Sequence, residues 1–141
     1  MSKCIVKLNI INTIVIILLI ILVIINGEYL RPQFRYSQFL NPIFGSLPNF
    51  VGSFVIFIMI LSTFIKKILA KNEIGNIKYL LIIFGFLVFL FLTIEEYFPF
   101  FTGSKTFDIY DIIANMLGIL FAYIFFVFLI NRCLKKKSTA L

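Results

Sequence analysis

The sequence predicts an all-α fold: an integral membrane bundle of four transmembrane helices with both termini cytoplasmic. Three observations lead there. The first is composition: 62% of the 141 residues are hydrophobic and only 13% are charged, more apolar surface than so small a body could hide from water. The second is hydropathy, which gives four apolar stretches near residues 8–25, 50–70, 77–98 and 109–130, each long enough to cross about 30 Å of hydrocarbon as a helix. Many of these residues are Ile, Val and Phe, which favour strands in water, but an isolated strand in lipid leaves its backbone unpaired, so helices are the reading.

The third observation is the placement of charge. Ten basic residues cluster on one side: Lys3 and Lys7, then Lys66, Lys67, Lys71 and Lys78, then Arg132, Lys135, Lys136 and Lys137. Arg31, Arg35 and Lys105 fall on the other. Basic residues are retained on the cytoplasmic side, so the chain is expected to be a multi-pass protein of a bacterial inner (cytoplasmic) membrane with both termini inside. Five of the six acids, Glu28, Glu95, Glu96, Asp108 and Asp111, fall outside with the three bases. The net charge of +7 therefore describes a basic rim facing anionic headgroups of the lipid bilayer. No nucleic-acid-binding motif is present, and nucleic acid is not expected as a partner. Abundant Ile, Phe, Lys and Asn fit an AT-rich bacterial source.

Nothing divides the chain, so residues 1–141 are read as one domain. The first helix is expected to stay as an anchor, because "INGEYLRP" lacks a small-x-small cleavage site. Cys4 and Cys133 both lie at cytoplasmic helix ends, where thiols stay reduced, so no disulfide is expected.

The loop after the first helix carries Tyr29, Phe34, Tyr36, Phe39 and Phe44 and reads as a short interfacial or re-entrant segment. Arg31 and Arg35 are four apart. On a helical turn they point the same way and either grip a phosphate or snorkel to headgroups. In "SLPNFVGSF", Pro48 suits the first position of the second helix, and Ser46 its cap. Asn49 and Ser53, with Gly52 between them, mark either close helix packing or a polar lining. The inner loop "KKILAKNEIGNIK" reads as a hairpin turning at Gly75, and the last residues of the tail "NRCLKKKSTAL" as disordered.

The third helix ends in "TIEEYFPFF", where Pro99 is expected to stop it. Glu95 and Glu96 point about 100° apart on a helix, so only one is expected to face the bundle. In "TFDIYDIIANMLGILFAY", Asp108, Asp111, Asn115, Gly118 and Ala122 share one helix face. Gly118 and Ala122 read as packing positions, and Asn115 as either interhelical glue or the deepest member of a polar site. Asp108 either caps the helix, accepting from the amide of Asp111, or joins the site; Thr106 is the alternative cap. With an acid from the third helix, Asp108 and Asp111 are also candidates to hold a divalent cation, the only cofactor the residues allow for. The chain has no histidine, GxSxG, Walker loop or CxxC, which excludes histidine triads and nucleotide-loop chemistry. No catalytic residue is assigned, and the chain is not expected to be an enzyme.

The run "IEEYFPFFTGSKTFDIYDIIANMLGILFAY" resembles the signature of VanZ-like membrane proteins: an acid late in one helix, a loop with a basic residue, then D-x-x-D-x-x-x-N-x-x-G opening the next. Asp108, Asp111, Asn115 and Gly118 match by type and spacing. Lys105 stands where the family usually has arginine, and Glu95 or Glu96 for its glutamate. Phe98 or Pro99 stands where the family commonly has glutamine, and Asn49 near a polar position often held by histidine. The resemblance spans roughly residues 46–125. It implies a role at the cell envelope linked to resistance against teicoplanin, a glycopeptide that binds cell-wall precursor at the outer membrane face.

Three function classes follow. One is a binder of a polyprenyl-linked cell-wall precursor or other anionic lipid headgroup, with Arg31, Arg35 and Lys105 on phosphate beside Glu95, Glu96, Asp108, Asp111 and Asn115. The second is a metal-dependent enzyme acting on a phospho- or glycosyl-lipid with the same carboxylates. The third is an immunity or assembly partner that meets another protein or its own copies.

Overall fold

The computed structural model describes residues 2–70, 74–98 and 108–138, and these are helical apart from short turns. Four long helices, α1 (Ser2–Ile25), α3 (Leu40–Ala70), α4 (Ile74–Tyr97) and α5 (Ile109–Ser138), form the bundle, and the short helix α2 (Arg31–Gln33) follows α1. Among the described residues there is no strand. Four helical stretches are long and apolar enough to cross a membrane: Val6–Gln33, Leu40–Phe64, Tyr79–Tyr97 and Ile109–Arg132.

The helix α3 is the hub. It packs along α5 over the longest contact and also touches α1 and α4. Its buried residues Val51, Phe54, Phe57, Ile58 and Leu61 recur at three- and four-residue intervals, which keeps them on one face. All of them but Val51 share one core with Ile119, Ala122, Phe126, Leu129 and Ile130 of α5, Leu81 and Val88 of α4 and Leu8 of α1. The outward faces are a continuous coat of Ile, Leu and Phe, such as Ile17, Leu18, Phe86 and Phe121, each about half exposed. In water that coat would drive aggregation; in lipid it is already solvated.

Several boundaries differ from the sequence reading. The segment read as interfacial or re-entrant begins as helix: α1 runs through a π-helical turn, Asn26–Leu30, into α2. A sharp turn follows, with Phe34 stacked on Phe44 at 5.1 Å. At its end Ser37 supplies the cap, its Oγ accepting from the Leu40 amide at 3.2 Å, so α3 starts ten residues before the expected Phe50. Pro48 therefore lies inside the helix, not at its first position. Ser46 does not cap; its Oγ donates to the Pro42 carbonyl at 3.0 Å. Gly75 lies in the first turn of α4 instead of forming the turn, α5 runs through Ser138, and the last residues of the tail, 139–141, lie outside the described residues. Residues 99–107 lie outside the described residues. That range holds Pro99, Lys105 and Thr106, so the expected helix stop, loop base and alternative cap are not described.

Pro48 is tolerated for a local reason. A proline within a helix offers no N–H to the carbonyl four residues back, here that of Phe44. Asn26, 1% exposed, fills the place from the π-helical turn: its Nδ2 donates to the Phe44 carbonyl at 2.8 Å. Asn26→Ala is expected to lower stability by about 1–3 kcal/mol, since a buried carbonyl loses its donor. In a Pro48→Ala background the new amide reaches Phe44 itself, and the same Asn26 change should cost much less. A double-mutant cycle on thermal stability in detergent checks this coupling.

Candidate functional site

At one end of the bundle α3, α4 and α5 each bring a polar side chain to a common point. Asn49 sits about one helical turn past Gly45, and its Nδ2 donates to Glu96 Oε1 of α4 at 3.4 Å. Asp111 on α5 is close enough for its charge to act on the Glu96 carboxylate. One neutral donor thus ties α3 to a carboxylate of α4, with a second carboxylate from α5 in its field. Asn49 is a site residue here, and the packing role read from its neighbourhood belongs to Ser53, which is 1% exposed and donates to the Phe50 carbonyl at 2.9 Å.

Glu96 meets Asn49 of α3 and feels the charge of Asp111 on α5. Glu95 is half-buried beside it, and its charge, with those of Asp111 and Asp108, repels the Glu96 carboxylate. Asp111 feels the attraction of Arg31 and the repulsion of Asp108. Arg31 reaches this field from α2, with one guanidinium nitrogen 4.0 Å from where a Cβ would stand on Gly45. Arg35, beyond the end of α2, is exposed; the structure brings Arg31 to the acids and does not bring Arg35 with it.

Asp108 caps α5, although not in the predicted way. Its Oδ1 accepts from the Tyr110 amide at 2.9 Å, while the Asp111 amide goes to the Asp108 backbone carbonyl at 3.1 Å. Its carboxylate is thereby committed to the helix start. Among the described residues, no group of three acidic, His or Cys side chains converges where a metal ion would sit. Of the candidate cation pair Asp108 and Asp111, Asp108 has Oδ1 engaged by its own helix start.

Below the acids the stripe on α5 becomes packing. Asn115 is 3% exposed, one turn under Asp111. Gly118 marks the closest approach of α3 and α5: a Cβ there would overlap Ser53 Oγ and the Phe50 carbonyl oxygen. Ala122 is fully buried. Gly52 is different from its predicted role, since a Cβ there would meet nothing within 4 Å; it faces open space beside the contact and is not a packing position.

Two polar residues in the first span were missed. Asn12, 3% exposed, donates through Nδ2 to Ser62 Oγ at 2.8 Å and ties α1 to α3. Asn26 does the same near the acidic end. Both are asparagines in or beside an uninterrupted apolar run, and an amide in hydrocarbon must find a partner on another helix. That signal was legible. No protein-family model, curated protein or solved structure matches this chain.

Proposed function

We propose that this chain is a VanZ-like protein of the bacterial cell envelope that binds the headgroup of a polyprenyl-linked precursor or similar anionic lipid, and thereby contributes to teicoplanin-type glycopeptide resistance. The observation that carries the reading is the three-helix junction of Asn49, Glu96 and Asp111 with Arg31 beside it. Two half-buried carboxylates close enough to repel each other are good acceptors for hydroxyl or amine donors of a sugar or peptide headgroup. The planar guanidinium of Arg31 suits the phosphate that joins such a headgroup to its chain. Positive charge at the far end of the bundle favours the acidic end facing out of the cell, on the side where glycopeptides act. The VanZ-type spacing of Asp108, Asp111, Asn115 and Gly118 points the same way.

The reading is tested by quantifying lipids that co-purify with the wild type and with Asp111→Asn and Arg31→Gln, alongside teicoplanin susceptibility of cells expressing each. Loss of a polyprenyl-linked lipid together with loss of protection, at unchanged protein abundance, is the expected outcome. Unchanged lipid content and susceptibility in both variants would refute it.

A further inference from the structure

Two prolines set the geometry around Arg31. An ordinary α-helical turn would press the ring of Pro32 against the Glu28 carbonyl four residues back, and the end of α1 widens instead into the π-helical turn Asn26–Leu30. The widening is confined to that turn: Ile25 before it and Arg31 after it both keep ordinary helical backbone angles. Its bond closes over five residues, the Arg31 amide donating to the Asn26 carbonyl. In an α-helix, five residues leave the last about 140° round from the first. Closing the turn over five brings Arg31 back over Asn26.

The second proline prepares α3 to receive this turn. Pro48 leaves the Phe44 carbonyl without its helical donor, and the Asn26 side chain takes that place, Nδ2 to oxygen at 2.8 Å. At the next residue of α3, a guanidinium nitrogen of Arg31 lies 4.0 Å from where a Cβ would stand on Gly45. Asn26 and Arg31 thus meet consecutive residues of α3, the first buried and the second exposed. From there the charge of Arg31 acts on Asp111 of α5. Stability alone does not explain the Asn26 amide, since its Oδ1 is buried with no hydrogen-bond partner among the described residues, an acceptor left unmet.

We infer that Asn26 is a positioning residue: by tying the widened turn to α3, it holds Arg31 at the acidic junction, where the guanidinium meets the phosphate of an anionic lipid headgroup. This role rests on the headgroup reading. It makes affinity for the anion depend on a buried side chain that never touches it.

The experiment separates placement from stability. In a chain with Cys4 and Cys133 replaced by serine, a short bifunctional thiol reagent is expected to join Arg31→Cys to Gly45→Cys in detergent, and Asn26→Ala to remove most of that product. Arg35→Cys with Gly45→Cys gives the background. Binding of undecaprenyl phosphate is then compared for the wild type, Asn26→Ala, Arg31→Gln and the two changes combined. Each single change should weaken binding about tenfold, and the double variant should bind no more weakly than Arg31→Gln, because Asn26 acts through Arg31. Pro48→Ala with Asn26→Ala decides between the two roles. The new amide at position 48 satisfies the Phe44 carbonyl and should recover most of the melting temperature, while the tether stays absent, so binding and cross-linking should remain weak. Cross-linking that persists in Asn26→Ala, losses that multiply in the Asn26→Ala/Arg31→Gln variant, or binding that returns together with stability in the Pro48→Ala variant would each overturn the role. A wild type that binds no undecaprenyl phosphate, with the cross-link still dependent on Asn26, removes the headgroup reading and leaves the placement of Arg31 standing.

Discussion

Gly118→Leu is expected to unseat α5 from α3 and to abolish the folded bundle, with Gly118→Ala already lowering stability by about 1–3 kcal/mol. The cause is local and severe. The smallest side chain would overlap Ser53 Oγ and the Phe50 carbonyl oxygen, with the Phe50 carbonyl carbon only 3.1 Å away. A hydroxyl can rotate away, but a helix backbone cannot without moving the whole contact. Ser53→Ala should therefore rescue Gly118→Ala only in part. Gly52 supplies the control, since its missing Cβ faces open space; Gly52→Ala should be neutral or stabilising by about 0.5–1 kcal/mol, as expected for an unconstrained helical position. Melting curves of these variants in detergent, read against the wild type, check the series. Equal effects at positions 52 and 118 would contradict the packing described here.

The second large effect is expected at Asn49. Asn49→Leu removes the amide that donates to Glu96 and leaves that part-buried carboxylate in the repulsive field of Asp111. Loss of a hydrogen bond to a charged group costs about 1.5–3 kcal/mol, and the uncovered repulsion adds to it. Asn49→Asp should be worse, because it replaces the donor with a third acid. Glu96→Gln in the Asn49→Leu background should recover part of the loss, since it supplies an amide and removes a charge. A cycle over positions 49 and 96 measures this coupling, expected at about 0.5–3 kcal/mol. Additive effects would show that the two side chains do not act on each other.

How much of this was legible follows from where the physics is local. The four spans follow from apolar length alone, because lipid admits no other unpaired backbone. Gly118 and Ala122 were readable as packing from their spacing with Asp111 and Asn115, since a helix repeats its face every three or four residues. Gly52 was not, because a glycine near small polar residues looks the same whether a neighbouring helix lies over it or beside it. Pro48 misled for a similar reason: proline usually opens a helix, and only the distant Asn26 amide makes it tolerable within one. The choice between Glu95 and Glu96 needed the rotation of α4 against α3, which no residue of α4 states. Asn49 looked like part of a packing patch until α4 and α5 brought carboxylates to it. The capping by Asp108 was anticipated in kind, although its side chain accepts from Tyr110, two residues on, and not from Asp111.

The most direct test of the proposed headgroup site is the thermal stability of the purified protein and of Asp111→Asn, each with and without undecaprenyl phosphate, lipid II, phosphatidylglycerol and divalent cations. A ligand that binds only the folded state stabilises it by about 2.7 kcal/mol at a hundredfold excess over its dissociation constant. The wild type is expected to gain stability with a polyprenyl-linked lipid and not with phosphatidylglycerol or cations, and Asp111→Asn is expected to lose that gain. A wild type that gains nothing from any of these lipids, or a gain that Asp111→Asn keeps in full, would contradict the account and leave the junction of Asn49, Glu96 and Asp111 as a purely structural link between three helices.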